Sequence, residues 1–372
     1  MLINEFINYK GVIMKKELLV ASALATTLGV AGVAEAVTAS YSGHLRNGVT
    51  GTDLDNTSDE TYSASQQAGF AVSVSETTDS GIKISGSYDL SNESDGSTDP
   101  SGLTLTFTDG SKLDLIEAGN AYGTHLASVP GATGEQSVAK ATANSAPGGL
   151  TYASANDSVG FEWHSAPNVF NVTGLKLGVS AAFGDDGDAT TTSTAENSYS
   201  IGLSYVTDAG DTKVTVGGGY MNADDSNSST TNDKAASAAV AISAVTGNLT
   251  VGAGFASGDY VRSNANNTGT TATQSAMEVD DVSVSTVGAK YVSGDITFAV
   301  GHTDSSADDK VIGTTEDSAN DAYEATSASV SYAVVSGVTA IIGYTTTASN
   351  NEASADTGNS GQSWYIGANV SF

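Results

Sequence analysis

Residues 363–372 read SWYIGANVSF, and large apolar side chains occupy every second position of this stretch. Side chains alternate between the two faces of a β-strand. One face therefore collects Trp364, Ile366, Ala368, Val370 and Phe372. The other face carries small or polar residues together with Tyr365. The pattern predicts a strand with an apolar environment on one side and water on the other.

The start of the chain has the features of a secretory signal. A short basic segment at Met14 precedes an apolar stretch, and residues 34–36 read AEA, which matches the A-x-A cleavage pattern. We interpret residues 14–36 as a signal peptide and residues 1–13 as an upstream extension that is not part of the mature protein. The mature chain is then expected to be one domain, residues 37–372.

Composition narrows the class of protein. The chain holds 42 acidic and 13 basic residues and a formal net charge of −29, which argues against nucleic acid as a partner and favours cations. It has no cysteine, so no disulfide framework is expected. After Ala36 no apolar run is long enough for a membrane-spanning helix. Abundant Gly, Ser and Thr favour strands joined by polar loops, with a disordered acidic chain as the alternative.

Periodicity disfavours disorder, because alternating runs recur in pairs joined by tight turns. In one pair, Tyr199–Tyr205 leads through Asp208-Ala209-Gly210 to Val214–Tyr220, a typical hairpin pattern. Seven such pairs, with single strands at 37–46 and at the C-terminus, predict sixteen strands. The seven short connections are 78–81, 109–110, 167–174, 208–210, 247–248, 293–295 and 336–337. They alternate with eight long ones at about 48–65, 91–100, 118–149, 184–196, 222–233, 258–281, 305–321 and 348–361.

An even strand number, with short turns at one end and long loops at the other, is typical of outer-membrane β-barrels. Strand phase also places aromatic residues on the outward face at both ends of the strands, as expected for the two interfaces of a membrane. The long-loop end would hold Phe70, Tyr88, Phe183, Tyr199, Tyr220, Phe255, Tyr344 and Trp364. The short-turn end would hold Phe107, Trp163, Tyr205, Tyr291, Tyr332 and Phe372. The predicted fold is all-β, a sixteen-stranded antiparallel transmembrane β-barrel.

The signal, the strand pairs and the terminal SWYIGANVSF resemble the sixteen-stranded general diffusion porins of Gram-negative outer membranes, most of all those of α-proteobacteria. The resemblance covers residues 37–372. It implies a water-filled channel in the cell outer membrane, periplasmic short turns and extracellular long loops, and passive diffusion of small hydrophilic solutes and ions. It also implies a homotrimer, and a final strand ending at Phe372 that closes the barrel and serves as the assembly signal.

One long connection differs from the others. Residues 118–149 form the longest, and Glu135 is their only carboxylate, in a segment otherwise rich in Ala, Gly and Ser. Such a composition suits the interior of a barrel. The segment follows the fifth strand, where the porin family has its constriction loop. We therefore predict an inward-folded third loop, with a plain external loop as the alternative.

Strand phase predicts charged residues on the pore wall. Five lysines lie near the short turns, which would give a lysine-lined inner mouth opposite an acidic outer vestibule, and their field would sort solutes by charge. The alternative is that these lysines only solvate the lumen. The predicted pore-lining or constriction residues are Arg46, Lys83, Asp89, Lys112, Asp114, Glu117, Glu135, Lys140, Glu162, Lys176, Lys213 and Lys290.

The family's filter usually sets an arginine cluster on the wall against acidic groups on the constriction loop. This chain departs from that pattern, since Arg46 and Arg262 are its only arginines after the signal, and Arg262 is expected in a long loop. Glu117 and Glu135 are the candidates for the acidic side, with Lys140 close by.

Catalytic chemistry, cofactors and metal sites are not predicted. The four histidines are scattered at His44, His125, His164 and His302. Glu162 and His164 share one face, and we predict a solvated pair on the wall rather than an acid–base couple. External acidic loops are expected to contact outer-membrane lipids and lipopolysaccharide, bridged by divalent cations. The alternatives to a porin are a secreted acidic surface-layer or adhesin-type protein and a substrate-selective outer-membrane barrel.

Overall fold

The computed structural model describes residues 37–55, 60–91, 102–115, 120–131, 159–183, 195–225, 234–262, 277–311, 320–350 and 360–372. The predicted signal peptide and upstream extension lie outside these residues. Within the described ranges, no helix is long and apolar enough to cross a membrane.

Sixteen strands form one closed antiparallel barrel, in which each strand pairs with its neighbours in sequence and β1 pairs with β16. The predicted strand number and architecture are confirmed. The strands are β1 (Thr38–Leu54), β2 (Thr61–Thr77), β3 (Lys83–Ser91), β4 (Leu103–Thr106), β5 (Lys112–Leu115), β6 (Val159–His164), β7 (Leu175–Phe183), β8 (Ala195–Ala209), β9 (Thr212–Asp225), β10 (Lys234–Thr246), β11 (Leu249–Arg262), β12 (Met277–Ser293), β13 (Ile296–Val311), β14 (Asn320–Val335), β15 (Val338–Asn350) and β16 (Gly361–Ser371). A helical turn, α1 (Ala121–Thr124), and a 3₁₀ turn at Val169–Asn171 are the helical elements of the described chain.

Closure is made by the stretch SWYIGANVSF. In the register between β1 and β16, Leu45 lies opposite Val370 and Val49 lies opposite Ile366. Beyond the last residue of β16, the Gly43 N–H donates to the Phe372 carbonyl at 2.9 Å, and the Phe372 N–H donates to the Gly43 carbonyl at 3.0 Å. Because both edges pair with each other, the sheet leaves no row of unpaired backbone groups for lipid to desolvate.

The short connections all contain a glycine in the left-handed region. The seven positive-φ glycines of the described chain fall one to each predicted short turn. They are Gly81, Gly110, Gly174, Gly210, Gly247, Gly294 and Gly337. A residue without Cβ adopts this conformation at little cost, which is why turn chemistry is readable from the sequence.

Several strands are longer than predicted. β1 runs to Leu54 and β2 begins at Thr61, so residues 55–60 connect them rather than 48–65. Likewise, β11 ends at Arg262, which was expected in a loop. Beyond the lipid a strand needs no apolar face, and the polar continuation of these hairpins therefore carries no alternating hydrophobic signal.

The two faces of the strands differ as the alternation predicts. One face, here called the apolar face, presents exposed large side chains such as Ile201, Val251 and Ile342. All of the aromatic residues predicted for the two ends of this face are exposed or half-buried. The opposite face, here called the polar face, carries mainly Ser, Thr, Gly, Ala and the lysines. Tyr365 is an exception to this composition, since it is a large aromatic residue on the polar face. Its side chain is only 1% exposed.

Candidate functional site: the polar face of the barrel

The five predicted wall lysines lie on the polar face, each within three residues of a strand end at a short connection. Lys83 and Lys112 begin β3 and β5. In the register Lys83 lies opposite Thr106, which in turn lies opposite Lys112, so these two lysines occupy one row across three strands. Lys290, near the end of β12, is half-buried, and the others are exposed: Lys83, Lys112, Lys176 and Lys213.

Arg46 and Asp89 lie together in a different part of the wall. Both line a recess of about 490 Å³ on β1, β2, β3 and β16, and His44 lines it as well. Arg46 Nη1 donates a hydrogen bond of 2.8 Å to Gln67 Oε1 on the neighbouring strand. This recess combines a guanidinium, an imidazole and a carboxylate, so its polar groups can contact a hydrated solute.

The described part of the third long connection, residues 120–131, packs against the polar face of β7 to β12. Asn120 caps α1 by accepting a hydrogen bond of 2.6 Å from the Gly123 N–H. Three contacts then attach α1 to serines of the wall. The Ala121 N–H donates to Ser180 Oγ at 3.2 Å and the Tyr122 N–H donates to Ser200 Oγ at 3.1 Å, while the Tyr122 hydroxyl shares a hydrogen bond of 2.9 Å with Ser237 Oγ. Burial raises the pKa of the Tyr122 hydroxyl, so it stays protonated.

Glycines give the segment room to approach the wall. A Cβ at Gly202 would lie 2.0 Å from the Ala121 carbonyl oxygen, and one at Gly288 would lie 1.6 Å from the Pro130 carbonyl oxygen. Any side chain at either position would displace the backbone of the segment. The glycine-rich strands therefore form a seat shaped for residues 121–130.

A cluster of four polar side chains lies where this segment meets β5 and β6. His164 Nε2 lies 3.5 Å from Asp114 Oδ2 and 3.4 Å from Glu162 Oε1. His164 Nδ1 lies 3.1 Å from Nε2 of His125, which belongs to the segment. The other ring nitrogen of His125, Nδ1, lies 3.1 Å from Ser204 Oγ.

The prediction of a solvated pair at Glu162 and His164 is wrong. Glu162 is only 4% exposed, because residues 120–131 cover this part of the wall. His125 belongs to the covering segment and is itself buried against the wall. Burial, with the neighbouring His164 as a second cause, lowers the pKa of His125 to about 4. His125 is therefore neutral at neutral pH.

The structure brings Asp114 and Glu162 together with two histidines, and Arg46 with Asp89. The predicted site residues that it describes do not gather into one filter. Glu117, Glu135 and Lys140 lie outside the described residues. The sequence reading missed His125 and the serines of the wall. A lone histidine within an Ala/Gly-rich segment was a signal, yet only the tertiary contact identifies its partner.

Comparison with known proteins agrees with this architecture. A family model described as Gram-negative porin matches residues 20–352. Among solved structures, a porin matches with a TM-score of 0.60 and 19% identity, covering 90% of this chain and 100% of that chain. An anion-selective porin from Comamonas acidovorans matches with a TM-score of 0.58 and 12% identity, covering 90% of this chain and 100% of that chain.

A third solved structure, the outer membrane protein OmpT of Vibrio cholerae in its trimer form, matches with a TM-score of 0.57 and 13% identity, covering 91% of this chain and 100% of that chain. At these identities the solved structures establish the shared barrel fold. No curated protein sequence matches the chain significantly. Because the family model spans most of the sequence and the barrel is closed by sixteen strands, this chain belongs to the Gram-negative porins and is an outer-membrane channel protein.

Proposed function

We propose that the polar face lines a water-filled channel through which small hydrophilic solutes and ions diffuse passively, and that residues 118–149 narrow it. A sixteen-stranded barrel is too wide for its own side chains to fill. The observation that carries the proposal is the seating of residues 120–131 on the glycines and serines of β7 to β12. A segment on that face reduces the open cross-section, and the proposal assigns no catalytic step to any residue.

The narrowing is tested by changing one seat glycine. Gly202→Ala places a methyl group 2.0 Å from the Ala121 carbonyl oxygen, so the segment has to shift away from the wall. Gly86→Ala is the matched control, since its Cβ would meet the nearest atom at 3.4 Å and faces the apolar side. In planar bilayers we expect a changed single-channel conductance for Gly202→Ala and the wild-type value for Gly86→Ala. Wild-type conductance in both variants would contradict the narrowing role, and the absence of any channel in the folded wild type would contradict the channel.

We propose further that the lysines form a positive mouth at the short-turn end, opposite an acidic outer vestibule. Lys83, Lys112 and Lys176 support this, since all three are exposed on the polar face near short connections. The combined Lys→Gln variant should shift the reversal potential in a KCl gradient towards cation selectivity, because the wall loses positive charge. An unchanged reversal potential would leave the lysines as solvating groups only.

The assembly is proposed to be a homotrimer in contact with outer-membrane lipids and with lipopolysaccharide bridged by divalent cations. The trimer form of the Vibrio cholerae protein supports the oligomeric state. The net charge of −29 supports the affinity for divalent cations. Cross-linking of the folded protein in detergent tests the trimer, and monomer as the sole product would contradict it.

A further inference from the structure

We propose that Asp114, Glu162 and His164 form a binding site for a divalent transition-metal ion of the Zn²⁺ class, at the junction between the wall and residues 120–131. One ligand atom from each residue lies within 4.8 Å of the other two, so small side-chain rotations would bring all three to one ion. Imidazole nitrogen and carboxylate oxygen are ligands that Zn²⁺ accepts, and the imidazole disfavours Ca²⁺ and Mg²⁺.

The first argument is the state of Glu162. Its side chain is 4% exposed, and Oε1 accepts no hydrogen bond from any residue that the structure describes. A buried carboxylate oxygen without a donor is costly, because it has lost water and gained nothing in return. Oε1 is directed at His164 Nε2, at 3.4 Å, and therefore faces the point where an ion would lie.

The second argument is the tautomer of His164. His164 Nδ1 shares a hydrogen bond of 3.1 Å with Nε2 of His125, and Nδ1 of His125 in turn shares a hydrogen bond of 3.1 Å with Ser204 Oγ. In the tautomer that donates from His164 Nδ1 to His125, the Nε2 lone pair of His164 faces two carboxylate oxygens at 3.4 and 3.5 Å, an arrangement that a cation between them would stabilise. His125 thus orients His164, as the hydrogen-bond partners of metal-bound histidines commonly do.

The third argument is distance. An imidazolium at His164 would draw the carboxylates to about 2.7–2.9 Å, the length of a charge-assisted hydrogen bond. The observed separations are 3.4 and 3.5 Å. Ligand atoms about 2.0–2.1 Å from a tetrahedral Zn²⁺ lie roughly 3.3 Å from each other. The two carboxylates supply two negative charges, which match the charge of the ion.

The remaining contacts fit the same assignment. Asp114 uses its other oxygen, Oδ1, to accept a hydrogen bond from the Thr104 hydroxyl, which leaves Oδ2 towards His164. The exposed Lys112 pairs with His164 in the register between β5 and β6 and lies at the edge of the cluster. Three protein ligands leave a fourth position for water, so a bound ion would remain accessible from the channel.

The test measures metal binding to the folded protein in detergent, after treatment with a chelator and its removal. We expect calorimetric titration with ZnCl₂ to give one saturable site per chain, and Co²⁺ to give the visible absorption of a tetrahedral complex. Glu162→Gln and His164→Gln should each abolish saturable binding, and His125→Ala should weaken it by about 10–100-fold. His302→Gln is the matched control, because His302 lies on the apolar face against Thr326, and it should bind as the wild type does.

Each variant is first compared with the wild type by circular dichroism, so that loss of the barrel is distinguished from loss of the site. Failure of the folded wild type to bind Zn²⁺ would overturn the proposal. Unchanged binding by folded Glu162→Gln and His164→Gln would overturn it as well. Neither result bears on the channel, which conductance tests independently.

Discussion

Ile341 and Tyr365 pack together on the polar face of β15 and β16, where most neighbouring side chains are small. They are 3% and 1% exposed. Gly48 and Gly367 make room for the tyrosine ring, since a Cβ at Gly48 would lie 2.4 Å from it and one at Gly367 would lie 2.1 Å from its hydroxyl oxygen. This pair is a small apolar core within an otherwise hydrophilic wall, close to the seam that closes the barrel.

At the residue scale, Ile341→Ala should lower the free energy of unfolding by about 2–5 kcal/mol, because it leaves a cavity against the Tyr365 ring. Val245→Ala is the control, since Val245 also lies on the polar face but is 40% exposed and leaves no enclosed cavity. Reversible denaturation of both variants in the same lipid or detergent measures the difference. Equal losses of stability would contradict the packing role of Ile341.

At the scale of elements, the short connections decide how the hairpins are joined and where each strand starts. Gly294 lies between β12 and β13 at φ 59° with open space where a Cβ would be, whereas Gly174 precedes β7 at φ 85°. A Cβ at Gly174 would lie 2.0 Å from the Val206 carbonyl oxygen. The Gly174 carbonyl also accepts a hydrogen bond of 3.0 Å from the Val206 N–H, so this turn is bonded to strand β8.

These two glycines should therefore respond differently to the same change. Gly294→Ala should cost about 1–2 kcal/mol, the strain of a left-handed residue with a Cβ. Gly174→Ala adds a collision with the backbone of β8 and should cost more. Unfolding free energies measured side by side test the order, and a larger loss for Gly294→Ala would contradict it.

At the scale of the whole molecule, charge is distributed unevenly over a closed wall. The chain carries a net charge of −29, while the lysines assigned to the wall lie near the short-turn ends of their strands. Electrostatic fields in a water-filled channel are screened over about 10 Å at 0.1 M salt but only about 3 Å at 1 M. Selectivity that arises from the acidic surplus must therefore depend on ionic strength.

We expect a cation-positive reversal potential under a KCl gradient, which weakens as the mean salt concentration rises from about 0.1 M to about 1 M. Recording at fixed concentration ratio but different mean concentration isolates this effect. Anion selectivity at low salt would instead assign control to the lysine mouth. Selectivity that does not change with salt would contradict long-range control by either set of charges.

The sequence alone determined the strand number, the order of the hairpins and the location of the seven short turns, because these depend on local chemistry. Side-chain alternation has a period of two, and a tight turn needs a glycine such as Gly210 or Gly247 at positive φ. The closing strand was also predictable, since the alternation of apolar and polar residues in SWYIGANVSF identifies both of its faces. The extent of the strands beyond the lipid was not, because Gly51 and Asp53 continue the apolar face of β1 without any apolar side chain.

Only the tertiary structure decided what lies against the wall. The contacts of His125 with His164 and Ser204 join residues 39 and 79 positions apart, and no periodicity relates them. They exist because the curved sheet brings β5 to β12 around one segment, and because glycines such as Gly202 leave space for its backbone. Burial of Glu162 follows from that approach, so the cluster proposed to bind a metal ion is a property of the closed barrel rather than of any strand.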